Sequence, residues 1–157
     1  MTKRHWPAVL LIPLLLIAGC STGQIKEGEG GMKIALTGIP VDDPIKAHKF
    51  YTEVLGFQSK QYDPESWLAV VVSAAEPDGT ALLLEPRGDS FAKEYQEQVF
   101  KAGLPIIVFG VDDLAGEIER LKQKGVRFRE DLTKKEYGLE NLFEDTCGNI
   151  IMLYKNP

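Results

Sequence analysis

A chain that repeats its own pattern is held to folding as two like modules. Here Val41-Asp42-Asp43 recurs as Val111-Asp112-Asp113, at an offset of 70 residues. An apolar run of strand type precedes each copy, Ile34 to Ile39 in the first and Leu104 to Phe109 in the second. A helical pattern follows each. In the first, Asp43 can cap, Pro44 suits the opening turn, and Ile45, Tyr51, Val54 and Leu55 supply an apolar face. In the second, Leu114, Ile118 and Leu121 recur at helical spacing, and both helices meet a glycine, Gly56 and Gly125. Strands are predicted at 57–62, 67–74 and 80–85, then at 126–130, 139–144 and 150–154. Asp78-Gly79 and Gly148-Asn149 mark the last turn of each copy. Each module therefore reads βαβββ, an α+β architecture, with Ser90–Ala102 as a connecting helix.

The amino terminus has a different character. Lys3 and Arg4 precede an apolar run from Trp6 to Gly19 that ends at Cys20. The run is shorter than the ~20 residues a spanning helix needs, and two prolines interrupt it. Ile17-Ala18-Gly19-Cys20 resembles a bacterial lipobox, with Ile17 where leucine is usual. The resemblance implies removal of residues 1–19, a lipoprotein signal peptide, and lipidation of Cys20, with acyl chains such as palmitate holding the protein to a bacterial membrane from the extracytoplasmic side. Cys20 and the Gly-, Ser- and charge-rich stretch to Gly31 (residues 20–31) would form the tether, and residues 32–157 the domain. Eleven tether residues reach at most ~40 Å, so the domain works close to the lipid bilayer.

Charge narrows the partners. Losing residues 1–19 removes Lys3 and Arg4 but no acid, taking the formal charge from −5 to −7. So acidic a surface is repelled by phosphates, and there is no basic stripe, which argues against nucleic acid. Two cysteines cannot build a disulfide framework. His48 is the one histidine beyond the export segment, which excludes chemistry needing paired histidines.

Val41-Asp42-Asp43 followed by Phe50-Tyr51-Thr52-Glu53-Val54-Leu55-Gly56-Phe57 resembles the opening module of the vicinal oxygen chelate (VOC) superfamily, which includes glyoxalases, bleomycin resistance proteins and extradiol dioxygenases. The stretch from Tyr137-Gly138 through Gly148-Asn149 resembles its closing module, although Asp145-Thr146-Cys147 stands where relatives often have Asp-Pro-Asp. The resemblance covers about residues 33–155. It implies curved mixed sheets around a cavity, where many members hold a divalent metal through four inward-facing His, Glu or Gln residues on the first and fourth strands of each module. Such a metal chelates two neighbouring substrate oxygens.

Carried onto this sequence, the four positions fall on Leu36, Leu82, Ile106 and Met152, and both pairs keep the offset of 70. All four are apolar, and none offers the donor a hard or borderline ion requires. A register slip of one residue would instead bring Glu85 inward. The resemblance places Trp67, Tyr62 and Tyr137 around the cavity. His48 reads as a helix-surface residue, Cys147 as an inert turn residue, and Lys134-Lys135-Glu136 as a polar loop.

Two functions of different class follow. One is a membrane-anchored module that binds a small organic molecule without a cofactor, in a cavity lined by Leu36, Leu82, Ile106, Met152, Trp67 and Tyr137; family members of this kind often work as homodimers. The other is a metal-dependent lyase, isomerase or dioxygenase. The apolar replacements favour the first and weigh against an enzyme.

Overall fold

Asp43 starts the first helix as its sequence predicts. Its carboxylate accepts the Ile45 and Lys46 amides at 2.8 and 3.1 Å, and Pro44 opens α1 (Pro44–Lys49). The helix loosens into a π-helical turn, Phe50–Val54, where Thr52 Oγ1 donates to the His48 carbonyl at 2.8 Å. Gly56, at φ 87°, then turns the chain out. The second copy is built alike: Asp113 accepts the Gly116 amide at 3.1 Å, α3 runs Leu114–Gln123, and Gly125 exits at φ 81°. Between the copies, Ser90 caps the connecting helix α2 (Phe91–Lys101).

The structure is a computed structural model that describes residues 31–157. The export segment, Cys20 and the tether up to residue 30 lie outside the described residues. Residues Lys33–Pro157 form one compact unit. The first module supplies β1 (Leu36–Val41), β2 (Gln58–Asp63), β3 (Leu68–Val72) and β4 (Ala81–Pro86), ordered β1-β4-β3-β2. The second supplies β5 (Ile107–Gly110), β6 (Thr133–Lys135), β7 (Gly138–Glu144) and β8 (Ile150–Lys155), ordered β5-β8-β7-β6. In each sheet the first and last strands pair in parallel and the other pairs are antiparallel.

Each sheet turns one face to its helix. Ile39, Val41, Ala69, Val71, Leu82 and Leu84 pack with Ala47 and Tyr51; Phe143, Ile151 and Leu153 pack with Leu114, Ile118 and Leu121. Ile107 and Phe109 touch both clusters, as do Phe50 and Leu55 of the first module, so the two cores meet. Phe57 and Phe109 lie with ring centroids 5.1 Å apart across that junction.

Two expectations need correction. Residues 126–130 do not form a strand. Val126 tucks into the α3 core, and Phe128 makes only an isolated bridge to Phe143, whose ring it also meets at 5.8 Å. The partner of β7 is instead Thr133–Lys135, within what the sequence suggests is a polar loop. A turn at Glu136-Tyr137 folds that segment back, with Gly138, the first residue of β7, at φ 147° in van der Waals conflict with any added Cβ. Elsewhere, Asp78-Gly79 does not close a tight hairpin, since β3 ends at Val72 and β4 begins at Ala81.

Candidate functional site

Register decides which side chains share a face, because paired residues on neighbouring strands point the same way and successive residues alternate. In the first sheet Leu36 pairs with Ala81, Gly38 with Leu83 and Pro40 with Glu85, whereas Thr37 pairs with Leu82 and Ile39 with Leu84. Leu36 and Leu82 therefore lie on opposite faces. Leu82 is 4% exposed in the helix-side core. The far face carries Leu36, Leu83 and Glu85. In the second sheet Val108 pairs with Met152, opposite in face to the core residues Phe109 and Leu153. Gly38 and Val108 keep the offset of 70, but their partners Leu83 and Met152 are 69 apart. One residue is lost between the strands of the two modules, and the count that selects Leu82 misses it. Leu83 holds the position equivalent to Met152.

The six residues expected to line one cavity are thus divided within the chain. Leu36 and Met152 sit on the far faces of different sheets. Ile106 lies just ahead of β5 and packs against both cores. Leu82 borders a cleft of about 920 Å³ at the junction of the modules, together with Thr37, Phe57, Val108, Asp112 and Arg120. Trp67, at φ 57° before β3, and Tyr137 at the β6–β7 turn are both about half exposed.

Polar groups give these surfaces their character. In the junction cleft, Arg120 donates to the Val54 and Leu55 carbonyls at 2.9 and 3.2 Å and to Glu117 at 2.6 Å. It closes the end of the first module's helix and has little left for a ligand. On the far face of the second sheet Glu140 is 7% exposed, accepting from Tyr137 Oη at 2.9 Å, with Lys135 Nζ 3.6 Å away. That hydrogen bond raises the Tyr137 phenol above its ordinary range, and Tyr154 Oη donates to the Tyr137 carbonyl. On the first sheet a pocket of about 440 Å³ joins Glu85 and Pro40 to Arg87, Phe91 and Tyr95 of the connecting segment and α2.

A buried polar knot ties these parts together. Asp145 takes the Cys147 and Asn149 amides on one oxygen, at 2.8 and 2.9 Å, and Tyr51 Oη and Asn149 Nδ2 on the other, at 3.1 and 2.8 Å. Burial raises its pKa against these bonds, which lower it. Gln96, 1% exposed on α2, donates to the Pro40 and Cys147 carbonyls and to Asn149 Oδ1. One amide thereby fixes α2 and the β7–β8 turn to β1. Sequence reasoning missed Gln96 because a glutamine in a polar helix carries no periodic signal. Cys147 lies fully buried in this knot, its thiol pushed up to about 12, chiefly by desolvation. His48 stacks on Tyr62 with centroids 3.9 Å apart and bonds Ser59 Oγ at 2.8 Å, on the helix side and away from both far faces.

The profile of the Glyoxalase/Bleomycin resistance protein/Dioxygenase superfamily matches residues 33–153. The chain belongs to this superfamily. YurT, an uncharacterized protein of Bacillus subtilis, is 46% identical over 125 residues, covering 78% of this chain and 98% of that protein. YetH, another uncharacterized protein of that bacterium, is 32% identical, covering 77% and 96%. Among solved structures, UcmS2 superposes with a TM-score of 0.66 at 26% identity, covering 80% of this chain and 98% of its own. TnmS3, described as an antibiotic binding protein from Streptomyces sp. CB03234, gives 0.63 at 22% identity over 82% and 98%, a likeness of fold.

The superfamily's metal does not fit the residues present. The positions that the resemblance implies hold Leu36, Leu82, Ile106 and Met152, and Leu83 stands on the same face of the first sheet as Leu36; all are hydrocarbons but for one thioether. A divalent ion needs several converging oxygen, nitrogen or thiolate donors. Glu85 is one carboxylate on one sheet, and Glu140 is engaged by Tyr137 and Lys135. Among the described residues no group of three or more His, Cys, Asp or Glu is placed to hold an ion.

Proposed function

We propose that this VOC protein is a lipid-anchored, extracytoplasmic binding module that takes a small organic molecule without a metal. The observation that carries the reading is the donor-free set Leu36, Leu82, Ile106 and Met152 at the positions that the resemblance implies, with Leu83 beside Leu36 on the far face of one sheet and Met152 on the far face of the other. A structural neighbour described as antibiotic binding supports sequestration as the mode of action. Leu36, 49% exposed on the far face of the first sheet, and Val108, 51% exposed at the mouth of the junction cleft, are apolar surface that a second copy would cover, which supports a homodimer.

Metal analysis of the purified protein, with thermal melts in nickel, manganese, zinc and chelator, tests the central claim. Substoichiometric metal and a chelator-insensitive melt are expected; tight stoichiometric metal would overturn it. A melt-shift screen of small neutral and charged organic compounds then tests for a ligand. Anchoring is tested separately by Cys20→Ser, which is expected to move the protein from the membrane to the soluble extracytoplasmic fraction.

A further inference from the structure

We infer that the pocket between β4 and α2 is a subsite for an organic cation, with Glu85 as its counter-ion and Phe91 and Tyr95 as its aromatic walls. This rests on the small-molecule reading above and specifies the chemistry of the ligand. The pocket, about 440 Å³, is large enough for an alkylammonium or aryl-ammonium group. Glu85 reaches it because of the register: paired with Pro40, it lies on the far face of the first sheet. Its Oε2 leans over Gly38, where a Cβ built on the backbone would stand in ordinary van der Waals contact at 3.5 Å. Among the described residues Glu85 makes no ion pair.

The aromatic pair is one helical turn apart on α2, and Phe91 and Tyr95 are 85% and 56% exposed. A cation between a carboxylate and two rings gains both a charge partner and ring-face attraction. The groups that would favour an anion have partners of their own. Arg87 Nη1 donates to Gln96 Oε1 at 3.0 Å and meets Glu97 Oε1 at 3.5 Å. Ser90 Oγ takes the Ala92 amide at the start of α2, and Lys93 pairs with Asp89 at 3.1 Å. Arg87 has Glu97 as its ion-pair partner, so Glu85 is the one charged group lining the pocket without such a partner among the described residues, on a protein of negative net charge.

Calorimetric titration of the full chain in a non-ionic detergent, with benzyltrimethylammonium, choline and dimethylbutanol (the uncharged carbon isostere of choline), tests the assignment. The two cations are expected to bind at least about tenfold more tightly than the isostere. Glu85→Gln should abolish that preference, and Tyr95→Ala should weaken the aromatic cation most. Both side chains are exposed, so unchanged melting temperatures would show that folding is intact. Equal binding of the isostere, indifference to Glu85→Gln, or no binding of either cation overturns the cation subsite. None of these touches the broader reading, which stands or falls on the metal analysis and the screen of neutral compounds.

Discussion

Cys147 shows how burial governs the chemistry of a single residue. Its thiol sits at 0% exposure beside Asp145, and its pKa is raised from 9.0 to about 12. At neutral pH the native thiol is protonated and shielded, so iodoacetamide is expected to leave Cys147 unlabelled until urea unfolds the chain, as read by peptide mass spectrometry. The same shift has a thermodynamic sign. Above about pH 9 the unfolded thiol loses its proton while the folded one keeps it, so stability falls as pH rises toward the folded value. Cys147→Ala should flatten that part of the melting-temperature profile relative to the parent. Asp145 is the other residue on which the knot depends. Asp145→Ala leaves the Tyr51 hydroxyl, two amides and Asn149 without their acceptor, and is expected to cost about 3 kcal/mol in urea denaturation. Its own raised pKa acts in the acid range: the folded carboxyl holds its proton more tightly than the unfolded one. Its contribution is therefore largest at low pH and declines as pH climbs through the window between the ordinary 3.8 and the raised folded value.

At the level of strands, a one-residue difference between modules reassigns an entire face. The repeat was legible because cap, helix and glycine exit recur in sequence, and those are local signals. The far face of β4 was not, because its apolar run Ala81-Leu82-Leu83-Leu84 contains no alternation to show which residues face the helix. Pairing with β1 supplies that answer. A pair of truncations tests it by chemical denaturation: Leu82→Ala should cost about 2–4 kcal/mol, as for a core leucine, and Leu36→Ala less than about 1 kcal/mol. Comparable costs would mean that both leucines share a face. The misplaced strand at 126–130 has a similar origin. Val126 and Phe128 do alternate, but they serve the α3 core and the Phe143 ring rather than a ladder.

For the whole molecule, the two cores share Phe50, Leu55, Ile107 and Phe109, while Leu36 on the far face of the first sheet and Val108 at the junction cleft stay half exposed. A dimer that covers these residues should appear in sedimentation equilibrium and be shifted toward monomer by Val108→Asp; a monomer at every concentration would count against it. The sequence by itself determined the module count, the superfamily and the helix caps, since each is written in residue type and short-range spacing. Tertiary structure alone decided that Leu83 rather than Leu82 shares a face with Leu36, that Glu85 lines one pocket with Phe91 and Tyr95, and that Gln96 locks β1 to the β7–β8 turn. Those outcomes depend on strand register and on contacts between residues far apart in the chain. With a side-chain period of two, a single residue's displacement exchanges the inside for the outside.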